Sequence, residues 1–227
     1  MNTDRPGQSD GVDVIPKNTF QIENGITLSK ETFLNNLMLR YALNRTVELR
    51  ILIDAEKQEN SRGLKPIAFS FKQKIIDKNK IVPAITLVGY ASMGSLSSKD
   101  FRTNNVNTEW KLAFENTLSN MITLGYNIGT SENFKNFNLS VSNGYALSGK
   151  LSAFVEYFST INKKEHNIDI GVLYLLNPNL QLDLAVGSPV FTHSNDFFGT
   201  LGVSYKFKKN KYIGGIPKSL KQSRNFN

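Results

Sequence analysis

The chain has 227 residues, 40% hydrophobic and 20% charged, with mean hydropathy −0.29. That composition excludes a helical membrane protein and a disordered chain, and the length suits one β-sandwich or barrel domain. No apolar run approaches the roughly 20 residues of a spanning helix, and without cysteine there is no disulfide, thiol nucleophile or cysteine-ligated metal. The formal charge is +8, but Lys206, Lys208, Lys209, Lys211, Lys218, Lys221 and Arg224 crowd the end of the chain with no acid among them. The body is therefore close to neutral, which argues against a nucleic-acid partner.

Residues 1–18 form a polar lead without the basic and then apolar stretch of a secretory signal, so the expectation is a chain that is not exported or one read without its signal. From there the sequence resolves with a period of two, the pattern of strands with two unlike faces. A first, weaker strand covers 19–28. Leu37, Leu39, Tyr41 and Leu43 then alternate with Asn36, Met38, Arg40 and Ala42, and Val47, Leu49, Ile51 and Ile53 alternate with Glu48, Arg50, Leu52 and Asp54. Further weak strands cover 65–76 and 81–93, with Pro66 and Pro83 at their starts because proline donates no ladder bond. Clear alternation returns in Trp110, Leu112 and Phe114, in Ile122 to Ile128, in Phe137 to Tyr145, in Leu151 to Tyr157, in Ile168 to Tyr174, in Leu180 to Val186 and in Leu201 to Phe207. Twelve strands are expected over 19–207.

Loop length adds a second regularity. Connections after even-numbered strands are tight, as in Asn44-Arg45-Thr46, Ser119-Asn120, Ser148-Gly149-Lys150 and Asn177-Pro178-Asn179. Most of those after odd-numbered strands are longer and polar: Glu56 to Gly63, Met93 to Thr108, Ser131 to Asn136, Thr160 to Asn167 and Ser188 to Asp196. An even number of strands of this length, apolar outward and polar inward, with one end trimmed and the other decorated, is the pattern of an all-β, antiparallel, up-and-down transmembrane β-barrel. A soluble barrel or sandwich also alternates, with its apolar face inward, and stays open at this stage. The apolar parity of the clear strands carries no Asp, Glu, Lys or Arg, which favours lipid outside.

The run Thr3-Asp4-Arg5-Pro6-Gly7-Gln8-Ser9, then Val14-Ile15-Pro16-Lys17 and Phe20-Gln21-Ile22-Glu23-Asn24-Gly25, resembles the mature start of bacterial outer-membrane proteins of the meta-pathway phenol-degradation family, often labelled transporters. The likeness continues in order through Leu39-Arg40-Tyr41, Glu48-Leu49-Arg50, Leu124-Gly125-Tyr126-Asn127, Ala153-Phe154-Val155-Glu156 and Gly202-Val203-Ser204-Tyr205-Lys206-Phe207, covering about 3–207. It implies a Gram-negative outer-membrane barrel with a transport role, and the family's name alone suggests hydrophobic or aromatic solutes. Such barrels end on an aromatic residue like Phe207, whereas this chain runs on through 208–227 as a basic extension.

The inward parity gathers Arg40, Arg50, Lys72, Lys74, Lys111 and Lys206 with Glu23, Glu48, Asp54, Glu109, Glu115, Glu156, Asp169 and Asp183. These residues are either a structural network filling the lumen or the lining of a solute path. Arg40 and Arg50 are expected to pair with Glu48 across neighbouring strands. In the lead, Asp4, Arg5 and Gln8 are candidates for a plug in the lumen, the alternative being a disordered periplasmic segment. Asn24, Gln73, Asn116 and Asn143 intrude on the outward parity and need partners or an interfacial depth. No catalytic or phosphate-binding motif is present; His166 and His193 fall in predicted long loops, and no metal, cofactor or reaction is expected. The lipid bilayer is the expected partner. Besides a pore or transporter, a non-transporting structural or interaction barrel and a soluble ligand-binding barrel remain as readings.

Overall fold

The computed structural model describes residues 1–77, 79, 82–191 and 196–207. The strands are β1 (Phe20–Ser29), β2 (Phe33–Ala42), β3 (Val47–Lys57), β4 (Arg62–Leu64), β5 (Ile67–Ile76), β6 (Ala84–Met93), β7 (Val106–Thr117), β8 (Ile122–Ser131), β9 (Asn136–Ala146), β10 (Leu151–Thr160), β11 (Glu165–Asn177), β12 (Leu180–Pro189) and β13 (Phe198–Phe207). Each pairs antiparallel with its chain neighbour, except that β3 pairs with β5 and holds β4 as a short ribbon beyond the ring. The last strand returns to the first in unbroken register, from Phe20 opposite Phe207 to Ser29 opposite Phe198. The result is a closed barrel of twelve strands plus the ribbon, and closure leaves no unpaired edge in the wall. Pro66 and Pro83 lie just ahead of β5 and β6, where their missing N–H breaks no ladder.

Burial is inverted relative to a water-soluble globule. Arg40, Arg50, Lys72, Gln21, Glu23, Glu48 and Glu156 are fully buried, while Leu49, Ile51, Leu182, Leu184 and Val203 stand exposed on the outer surface. Leu39 and Leu124 are half-buried. The apolar parity thus faces away from the lumen all round the wall, which a soluble sandwich forbids.

Register also places the outward aromatic residues. Tyr41 lies opposite Phe20, and Phe20 opposite Phe207; Tyr145, Tyr174 and Tyr205 lie opposite Ile122, Leu151 and Leu180, at the same short-turn rim. This is the depth at which amphipathic rings meet headgroups. Asn116 and Asn143 flank Leu124 near that rim. Gln73 donates to the Lys74 carbonyl, while Asn24 and Asn35 form an amide pair and each donates to a cross-strand carbonyl.

At the other end β4 extends the β3 hairpin, and the connection after β6 folds back on it through two short 3-10 turns, Ser98 donating to the Leu64 carbonyl and accepting from the Leu64 N–H. One connection expected to be long is brief, since β11 follows β10 after 161–164, while β9 follows β8 after 132–135, between the expected Ser131 and Asn136. His166 accordingly sits in β11 and not in a loop, with Nδ1 bonded to Tyr157 (2.6 Å) and Ser159 (3.0 Å); the polar run 165–167 continues the ladder because β10 supplies partners as far as Thr160. His193 and the basic extension lie outside the described residues.

Candidate functional site: the lumen and the segment inside it

Residues 2–15 run through the barrel, bonded to inward side chains on opposite walls. The turn of the segment is held by Glu156 on β10, whose carboxylate accepts the N–H groups of Gln8 (2.6 Å) and Ser9 (2.9 Å). Glu23 on β1 accepts those of Asp4 and Arg5, and Glu48 on β3 that of Ile15. Asn127 on β8 makes a reciprocal pair with the Asp10 backbone, its Oδ1 accepting at 2.7 Å. A segment without ladder partners thus gets its backbone donors satisfied by wall carboxylates and amides, as burial demands. Val12 and Ile15, fully buried, give it its apolar anchors.

Its side chains sort by wall. Arg40 on β2 and Arg50 on β3 are direct cross-strand neighbours, a like-charge arrangement that is unfavourable without a carboxylate between them. Asp4 supplies one, its Oδ2 lying 3.5 Å from Arg40 and 2.9 Å from Arg50, while its Oδ1 binds Lys72 on β5. Asp10 takes Arg50 (2.8 Å) and Lys111 on β7 (3.2 Å), and accepts the Tyr90 hydroxyl. Burial alone would raise the Asp4 carboxyl, but Arg40, Lys72 and Arg50 outweigh it and hold it down at about 2. The same opposition, with Lys111 and Arg50 foremost among the bases, pushes Asp10 below the usual carboxylate range.

On the far wall Arg5 reaches Thr200 (2.8 Å) and Asp183 (3.3 Å). It fits there because β1 and β13 carry glycine: a Cβ on Gly25 would lie 2.0 Å from the Arg5 guanidinium, and one on Gly202 2.5 Å from its Nε. The segment therefore presents acids to the base-bearing wall and its one arginine to the acid-bearing wall.

The remaining candidates are placed as follows. Glu48 binds Arg40 through both oxygens (2.6 and 3.1 Å); Arg50, expected to share that carboxylate, instead turns to Asp4, Asp10 and Ser70, since it sits two residues along the same strand and face as Glu48. Lys74 reaches Asp13 and Asp77, and Lys111 also reaches Glu109 (2.7 Å). Asp54 accepts from Asn36 (3.0 Å). Asp169 lies directly opposite Glu156, and Lys206 opposite Gln21. Glu115 helps line the space below the segment.

Sequence reasoning did not single out Asp10, Tyr90, Asn127, Val12 or Ile15, which do as much as Asp4 and Arg5 to seat the segment. Two signals for them exist in the chain: Val12 and Ile15 are apolar residues in a polar lead, and inward glycines stand where the wall has charges elsewhere. Among the described residues, cavities remain beside the segment. One of about 200 Å³ is bordered by Thr27, Asn36, Asp54 and Thr200, one of about 180 Å³ by Gly125, Ser142, Phe154 and Glu156, and one of about 140 Å³ by Lys111, Ser140 and Phe158.

A closed twelve-stranded ring with an apolar exterior and an ionic interior gives the chain the fold of a transmembrane β-barrel. It belongs to the family described as "Putative MetA-pathway of phenol degradation", whose model matches residues 3–207. Among solved structures it is similar to the COG4313 outer membrane channel from Pseudomonas putida F1 (TM-score 0.69, 9% identity, 89% of this chain and 100% of that one). It is also similar to the KdgM porin (0.64, 14%, 83% and 99%) and the NanC porin (0.58, 8%, 83% and 100%). No curated protein matches the sequence.

Proposed function

We propose that this chain is a bacterial outer-membrane pore for small solutes, with residues 2–15 acting as a plug that narrows it. The observation that carries the reading is the segment itself: it crosses a lumen lined by polar and charged groups and divides the space into cavities of about 140 to 200 Å³. Such spaces suit a small molecule and not a polymer. The apolar wall, exposed with aromatic residues at the rim, supports residence in a bilayer. One similar structure holds the KdgM porin in complex with disordered oligogalacturonate. The family's description ties it to phenol degradation, and on that ground small aromatic solutes are the first to test; Phe154 and Phe158 border two of the cavities. No reaction is assigned.

Division of the lumen into separate cavities also favours a second reading, a sealed barrel acting through its outer loops. Planar-bilayer recording separates the two. The pore reading expects discrete current steps that grow in the Arg5→Ala protein, because Arg5 ties the segment to Asp183 and Thr200. Silence from both proteins would leave the sealed barrel standing.

A further inference from the structure

The bases and acids of the lumen are not equally available to a passing ion. Arg40, Arg50 and Lys72 are wholly buried, each against a carboxylate, and none of them borders the two larger cavities. Carboxylates do. The 200 Å³ space is bordered by Asp4, Asp10, Glu23 and Asp54 with Arg5 as its one base, and the 180 Å³ space by Asp4, Asp10, Glu115 and Glu156, again with Arg5. A second, independent observation points the same way. Asp169 is 2% exposed on the inward parity beside Glu156, yet neither of its carboxylate oxygens has a hydrogen-bond partner among the described residues, and Asp183 Oδ2 also lacks one. A buried carboxylate without a donor is costly unless a cation or proton comes to it.

From this we infer that the pore selects for cations and excludes anions, with Asp54 as the selectivity-determining residue at the larger cavity, Asp169, which borders neither cavity, adding its unpaired charge to the field of the lumen, and the plug's Asp4 and Asp10 cancelling the base-bearing wall. Segregated charge of this kind sets the sign of what enters, because the field in a narrow lumen is set by the charges left uncompensated along it. The solutes admitted are then amine-bearing or uncharged, and carboxylates and phosphates are turned away. The inference rests on the pore reading above.

The test is the reversal potential of the full-length protein in a planar bilayer under a potassium chloride gradient at pH 8, where carboxylates are ionised. Potassium should permeate in clear preference to chloride. Asp54→Asn and Asp169→Asn should each lower that ratio by up to roughly fivefold, the Boltzmann factor of one charge contact at about 4 Å in water. Glu59→Gln, in an exposed outer connection, should leave it unchanged. A ratio near one or favouring chloride in the native protein overturns the inference while the pore stands, and so does a ratio unmoved by both Asp variants in barrels that keep the native heat-modifiable mobility. Absence of current from native and Arg5→Ala proteins alike sinks the pore reading, and this inference with it.

Discussion

Asp4 and Asp10 decide how the inward arginines and lysines can coexist. Arg40, Arg50 and Lys72 converge on Asp4, and Arg50 and Lys111 on Asp10; without Asp10, Arg50 keeps Asp4 and Lys111 keeps Glu109, whereas without Asp4 the buried Lys72 loses the carboxylate it binds, a loss of about 3–5 kcal/mol for a desolvated pair. Asp4→Ala should therefore free the segment, read as rapid proteolysis near the N-terminus of the folded barrel, whereas Asp13→Ala, whose partner Lys74 keeps Asp77, should not. The pH dependence follows from the sign of the shift. The Asp4 carboxyl falls from 3.8 in the unfolded chain to about 2 in the fold, so its contribution is complete above 3.8 and disappears as the pH drops through about 2. The stability gap between the native chain and Asp4→Asn, measured by urea unfolding in vesicles, should be flat from pH 7 to pH 4 and close only below that. A gap already closing at pH 5 would mean that the three bases do not control this carboxyl. Asp4 and Arg5 could be picked out in advance because they stand in a segment with no apolar face of its own. Asp10 could not, since its role depends on where the chain turns at Gly7 to Ser9, and that turn is set by Glu156, distant in sequence.

Strands were the most legible elements. Period-two alternation is a local property, and a wall with lipid on one face and charge on the other imposes it on each strand separately; hence the starts of β3, β8 and β10 are legible to the residue, while β2 begins ahead of the alternation that shows from Asn36 and the far ends of the other three run beyond it. Connections were less legible, because a polar run can either leave the ladder or continue it, and only the neighbouring strand decides. Glu165-His166-Asn167 continues it. The face assignment has a direct test at one strand. Leu184 is 49% exposed at mid-height of β12, while its neighbour Asp183 points inward to Arg5. Leu184→Arg should cost about 2–4 kcal/mol in a bilayer, the penalty for a base near the midplane, seen as a lower urea midpoint in phospholipid vesicles. A native midpoint for Leu184→Arg would mean that this face does not meet lipid.

At the scale of the molecule, the ring and the segment inside it are held by different forces, so they can be separated. The wall is closed by backbone ladders from β1 to β13, in which residues 2–15 take no part, whereas the segment is held by contacts with side chains on many strands. Deleting residues 2–15 should leave a barrel that still inserts and keeps its heat-modifiable mobility, with a larger conductance than Arg5→Ala gives. The ordering matters. Arg5→Ala cuts the tie to Asp183 and Thr200 alone and leaves the Asp4, Asp10 and Glu156 contacts in place, so the segment still occupies the lumen; deletion removes the occupant. Equal conductance in the two proteins would mean that the segment leaves the lumen once one tie is cut, and a deletion no more conductive than the native chain would show that the constriction lies in the wall itself.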